Sequence, residues 1–186
     1  MTPSDVRKVL ESKDVTDRLA HIFAIQGAFA NLCFSNNGIR GPEGEILDCD
    51  RVSKDAVEMK HGYNDLLVRW TWEMHGALED ELREIEDLLP WKHWSKAQMG
   101  EKEHPECTPE ERLNHLRLEL IDVIHFIVEA LIFTGLSSED VYQLYLKKNL
   151  VNIERQEKAY NTANKTEDDN DAIAASFEKG EEQDGS

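Results

Sequence analysis

Two short segments set carboxylates where they could act together. Glu119-Leu-Ile-Asp122 and Glu81-Leu-Arg-Glu84 each place two acids three residues apart. On an α-helix that spacing puts both on one face. The first pair lies in a stretch whose other positions are almost all apolar, Glu119 to Glu129. A helix that is apolar nearly all round is expected to be buried on most sides. Buried carboxylates are costly unless paired or bound to a cation. A structural salt bridge to a neighbouring Arg or Lys is the competing reading of that pair, and a solvated helix face is the competing reading of Glu81 and Glu84. Two such pairs on facing helices would repel strongly, and a hard divalent cation relieves that repulsion. Oxygen-only ligands favour Mg2+, with Mn2+ as a possible substitute.

A third segment offers groups for an anion. Lys148, Asn152 and Arg155 fall at i, i+4 and i+7, while Asn149, Asn152, Gln156 and Tyr160 share an overlapping face. Lysine and arginine hold phosphate oxygens, and asparagine bonds a sugar hydroxyl. The plainer reading is a solvated helix whose bases suit its own dipole. His125 is a lone histidine beside Asp122 and Phe126, a pocket residue or a satisfied core histidine. Trp91 and Trp94 favour packing over stacking on a base. His104-Pro-Glu-Cys107 gives two zinc-type ligands where four are needed. Glu58-Met-Lys-His61 has the spacing of a di-iron carboxylate bundle, and Asp122-Val-Ile-His125 approximates it, but Gly62 interrupts the first.

The elements that must position these groups are helical. Residues 4–33 read as a first helix, capped by Ser4 or Asp5, with a break possible near 13–16. Residues 35–50 carry Asn-Asn-Gly, Gly-Pro and a further Gly, the chemistry of a loop. Helix signals resume at Ser53, and a long helix is predicted over 64–89 with Leu66, Leu67, Trp70, Met74, Leu78, Leu82, Ile85 and Leu89 as its apolar face. Pro90 ends it, and 91–109 reads as loop. Thr108-Pro109-Glu110-Glu111 is a helix start, running to about Thr134 and stopped by Gly135. Ser137 with Asp140 opens a last helix to about Tyr160. The expected fold is all-α, a bundle of four or five helices over residues 1–160, with a disordered acidic tail over 161–186.

Composition narrows the classes. The formal net charge is -17 over 186 residues. The tail holds eight acids and two lysines, net -6, which leaves -11 for residues 1–160. Such a chain repels phosphates at long range, so no nucleic-acid partner is expected. The three cysteines, Cys33, Cys49 and Cys107, form no CxxC pair and suit a reducing cytoplasm. The N-terminal segment lacks the apolar run of a signal peptide. The most apolar run, 118–136, contains Glu119, Asp122 and Glu129, too many acids for a membrane span.

Taken together, ExxE at Glu81–Glu84 and ExxD at Glu119–Asp122 resemble the hallmark of the all-alpha nucleoside triphosphate pyrophosphohydrolases, the MazG and dimeric dUTPase superfamily. The likeness is closest to the phage-type dCTP pyrophosphatase/dUTPase family. It is carried further by Trp91-Lys-His-Trp94, by Glu119-Leu120 to His125-Phe126, and by Tyr145-Leu-Lys-Lys148-Asn149 to Asn152, Arg155-Gln156 and Tyr160, spanning roughly 64–160. Relatives often end the last motif with Gly-Tyr, where this chain has Ala159-Tyr160. The resemblance implies hydrolysis of dCTP and/or dUTP to the monophosphate and pyrophosphate. It implies that Glu81, Glu84, Glu119 and Asp122 bind Mg2+ and that Glu81 or Glu84 activates water. It implies that His125 and Phe126 line the base pocket, that Gln26 reads the pyrimidine edge, and that Lys148, Asn149, Asn152, Arg155 and Tyr160 hold sugar and phosphates. A homodimer or higher homo-oligomer is expected. The alternatives are a strict dUTPase, a hydrolase of a modified or purine nucleotide, and a non-enzymatic acidic helical interaction protein.

Overall fold

The computed structural model describes residues 2–12, 15–41, 43–57, 65–89, 108–157, 171 and 173. Its helices are α1 (Pro3–Leu10), α2 (Arg18–Asn36), α3 (Cys49–Val57), α4 (Asp65–Leu88), α5 (Pro109–Phe133) and α6 (Ser138–Glu157). No strand occurs among the described residues. The chain divides into two compact units, Met1–Ser137 and Ser138–Ser186.

Helix boundaries follow local chemistry. The first predicted helix is divided: α1 ends at Leu10 and α2 starts at Arg18. The cap of α1 is Thr2, not Ser4 or Asp5: its hydroxyl accepts from the Asp5 backbone N–H, and the Asp5 carboxylate accepts from the Thr2 N–H at 2.9 Å. Asp5 is therefore the third residue of the helix, with Pro3 at the start. Asp17 caps α2 through the Ala20 N–H at 3.0 Å. The third helix begins at Cys49, four residues before the expected Ser53, because Asp48 accepts from the Arg51 N–H at 2.8 Å and nucleates the turn.

At the predicted start of α5, Thr108 and Glu111 form a capping box. At its other end Gly135 has φ 83°. There Gly135 N–H bonds the Ile132 carbonyl and Leu136 N–H the Leu131 carbonyl. That pair of bonds is a Schellman stop, in which glycine takes the left-handed position without a Cβ penalty. Between α2 and α3 the predicted loop folds back on itself. An isolated antiparallel bridge joins Arg40 and Ile46, and Leu47 N–H bonds the Ile39 carbonyl at 2.9 Å.

In the first unit α4 and α5 pack most extensively, α1 lies on α2, α2 packs on α5, and α3 packs on α4 and α5. The core joins Ala30 and Phe34 of α2, Leu47 of the loop, Val52 of α3, Leu66 and Met74 of α4 and Phe133 of α5. Phe34 meets Trp70 edge-on at 4.7 Å between centroids and stacks on Phe133 at 5.9 Å. The predicted apolar face of α4 is borne by Leu66, Trp70 and Met74. Leu82 and Leu89 are instead exposed, since the core sits toward the start of that helix. Around α5 the expected burial is not met among the described residues: Leu118, Leu120, Ile121, Ile124 and Ile127 stay exposed, while Val128 and Phe133 are buried. Among the described residues the covered stripe is the one facing α2, α3 and α4.

In the second unit, α6 starts at Ser138, close to the expected position. Its described side chains are exposed or half-exposed. The predicted tail over 161–186, apart from Asp171 and Ile173, lies outside the described residues. No single helix among the described residues is long and apolar enough to cross a membrane.

Candidate active site

Packing α4 against α5 brings the two acidic segments together. Glu81, Glu119 and Asp122 each offer a carboxylate oxygen, and these oxygens lie within 4.8 Å of one another. All three side chains are half-buried. Glu84, one turn further along α4, is exposed and lies outside this cluster. Its charge still reaches Glu81. Burial holds the Glu81 carboxyl above the ordinary carboxylate range, and the negative charges of Glu84, Asp122 and Glu119 push it the same way. Among the described residues no Lys or Arg forms an ion pair with the three clustered acids. The competing salt-bridge reading of Glu119 and Asp122 therefore lacks its partner there. The ring of His125 lies beside the cluster, with Nδ1 at 3.4 Å from Asp122 Oδ1.

The donor set suits a hard cation. Three carboxylates contribute oxygen only, and their mutual repulsion falls when a divalent ion sits among them. Mg2+ or Mn2+ would fit a donor set of this kind.

Beside the cluster opens a pocket of about 340 Å³. Its acidic margin is formed by Glu81 and Asp122, and its walls include Gln26, His125, Phe126 and Glu129. Helices α1 and α2 line it with apolar side chains, Leu10 and Phe29 among them. The helical repeat explains the α5 contribution. Asp122, Phe126 and Glu129 stand at i, i+4 and i+7 and project along one stripe. Gln26 is buried on α2, 7% exposed, and its Nε2 donates to Glu129 Oε2 at 2.9 Å. Burial raises the Glu129 carboxyl above its ordinary value, opposed by that hydrogen bond and by His125.

The sequence placed Gln26, His125 and Phe126 among the substrate-binding residues, and the structure brings all three to one pocket with Glu81 and Asp122. In the sequence Glu129 stood only as one of the acids of the apolar run 118–136. Its partner lies 103 residues away, on another helix. A buried glutamine on α2 was the one sequence signal that could have found the pair. Lys148, Asn149 and Asn152 are exposed on α6 in the second unit, where Asn149 Nδ2 donates to the Tyr145 carbonyl at 2.8 Å. The Arg155 side chain and Tyr160 lie outside the described residues, as do Glu58, His61, Trp91, Trp94, His104 and Cys107.

Comparison with known proteins gives three relatives. The chain is 31% identical over 129 residues to a dCTP pyrophosphatase of Enterobacteria phage LZ5, covering 59% of this chain and 74% of the relative. It is 31% identical over 108 residues to a dCTP pyrophosphatase of Enterobacteria phage T4, covering 50% of this chain and 63% of the relative. A 97-residue match at 29% identity links it to a DNA replication protein of phage T4, covering 45% of this chain and 24% of that protein. The match thus spans a little under two thirds of the T4 pyrophosphatase and about three quarters of its LZ5 counterpart. No family model matches the chain, and no solved structure matches it.

Proposed function

The chain belongs to the family of the phage dCTP pyrophosphatases, and on that premise we propose that it is a Mg2+-dependent nucleotide pyrophosphohydrolase. Its substrates are dCTP and/or dUTP, and its products are the monophosphate and pyrophosphate. One observation carries the reading: a single pocket is lined both by carboxylates of the acidic cluster and by side chains suited to a base. A triphosphate reaching the carboxylates leaves its base beside Gln26, His125 and Phe126.

Glu81, Glu119 and Asp122 would hold the cation. When bound, Mg2+ supplies charge neutralisation for the triphosphate and acidifies a water molecule. The protein's own groups supply the rest. A water attacks the α-phosphorus, the bond from that phosphorus to the bridging oxygen breaks, and pyrophosphate departs. Glu81 is better placed than Glu84 to take the proton, because it sits within the cluster and Glu84 lies outside it. Phe126 and the apolar wall position the base and exclude water. On the strength of the resemblance, Lys148, Asn149, Asn152, Arg155 and Tyr160 hold sugar and phosphate oxygens. The exposed aliphatic side chains of α5, Leu118, Ile121 and Ile124 among them, support action as a homo-oligomer, a dimer in the first place.

A substrate panel tests the reading. Purified protein is incubated with Mg2+ and each deoxynucleoside triphosphate, and the products are resolved by chromatography. Monophosphate and pyrophosphate from dCTP or dUTP are expected. Cleavage confined to purine nucleotides would overturn the pocket assignment, and no cleavage at all would overturn the activity.

A further inference from the structure

The acidic cluster leaves one charged group of the pocket without a task. Glu129 is half-buried on α5, seven residues beyond Asp122, and lines the same cavity as Glu81 and Asp122. Its one hydrogen bond among the described residues comes from Gln26 Nε2, at 2.9 Å. The Gln26 hydrogen bond and His125 favour the ionised form of Glu129 against its burial, and an ionised carboxylate accepts hydrogen bonds and donates none. Gln26 therefore turns its nitrogen to Glu129 and its oxygen away, and the amide has one order of donor and acceptor to show a ligand. The second oxygen of Glu129 has further lone pairs for an N–H. A carboxylate removed from water is stable there only when such donors meet it.

Pyrimidine bases differ in what they bring to such an acceptor. Cytosine carries an exocyclic amino group where uracil carries a carbonyl. The amino group donates to a carboxylate, whereas the carbonyl sets acceptor against acceptor and leaves both unpaired.

We propose that Glu129 is the specificity-determining residue of this pocket, fixing the Gln26 amide and accepting from the exocyclic amino group of cytosine, so that dCTP is preferred to dUTP. This assignment rests on the pyrophosphohydrolase reading above and adds the base preference to it. A site built around a donor on the substrate discriminates strongly against the analogue that lacks it. In this role Glu129 meets the base and neither the phosphates nor the reacting atoms, so its effect falls on the ratio between substrates.

The test compares wild type with Glu129→Gln on dCTP and dUTP at saturating Mg2+. The amide is isosteric and can turn an N–H toward a uracil carbonyl. Wild type is expected to favour dCTP in kcat/KM by about tenfold or more, and Glu129→Gln to lower that ratio by about tenfold, chiefly through KM. An inactive fraction lowers both substrates equally and cancels in the ratio. Wild type itself gives a second measurement that needs no variant: dCMP is expected to raise its Tm more than dUMP does.

An unchanged ratio in a Glu129→Gln enzyme that still cleaves both substrates would overturn the role of Glu129 alone. So would a wild type that turns over the two equally or is protected equally by dCMP and dUMP. A wild type that cleaves no nucleoside triphosphate would overturn the underlying function and this assignment with it.

Discussion

Replacing Glu119 with glutamine should make the metal-free protein more stable and the metal-loaded protein inactive. The three clustered oxygens lie within 4.8 Å of one another, so each pair of full charges repels by about 0.9 kcal/mol in a water-like dielectric. Glu119 has two such neighbours, and salt at physiological strength, with a Debye length of about 8 Å, removes roughly half of the repulsion. Glu119→Gln in chelator should therefore gain about 1 kcal/mol, which raises Tm by about 2–4 °C for a chain of this size. Magnesium reverses the order. At ten times its dissociation constant it stabilises wild type by about 1.4 kcal/mol. The variant, with one ligand lost, should gain far less. Scanning calorimetry of both proteins, each with chelator and with Mg2+, reads all four values. A variant less stable than wild type in chelator would refute the reasoning, because Glu119 would then be held by a favourable partner and not by repulsion.

Two further predictions test the scaffold. Phe133, 1% exposed between Phe34 and Trp70, should cost about 3–5 kcal/mol when changed to alanine, read as a lower denaturant midpoint. The Cys49 thiol is pushed up to about 12 by burial and by the nearby charges of Glu129, Asp48 and Asp50. At pH ~8 it stays protonated as well as buried, so a thiol reagent should label the half-buried Cys33 in the native protein and reach Cys49 only after denaturation, as mass spectrometry would show.

The local features of the fold were the most legible in the sequence. Thr108, Pro109 and Glu111 act within one helical turn, so their spacing predicts the start of α5 directly. Gly135 marks its end for the same reason. Thr2 and Asp48 were harder to read, because Ser4, Asp5 and Ser53 are equally good cap residues and the choice among them is made by the packing of the chain. Periodicity put Leu82 and Leu89 on the apolar face of α4, but it cannot say how far along a helix the core extends. The same limit applies to Leu118, Ile121 and Ile124 on α5. For the site, spacing showed that Glu119 and Asp122 share a face. That Glu81 meets them while Glu84 turns outward depends on the rotation of α4 against α5, which no single helix encodes. Gln26 and Glu129 sit far apart in the chain, and only the packing of α2 on α5 makes them a pair.

The proposed activity is Mg2+-dependent release of pyrophosphate from a pyrimidine triphosphate at the acidic cluster. It is tested most directly by following dCTP with phosphorus NMR, with and without Mg2+, in wild type and in Asp122→Asn. The account predicts dCMP and pyrophosphate in equal amounts from wild type with Mg2+, none in chelator, and a rate lower by roughly 100-fold or more in a variant whose circular dichroism is unchanged, since even an outer-shell partner of a metal site typically contributes 10–100-fold. Wild-type turnover by Asp122→Asn, or turnover by wild type in chelator, would contradict it.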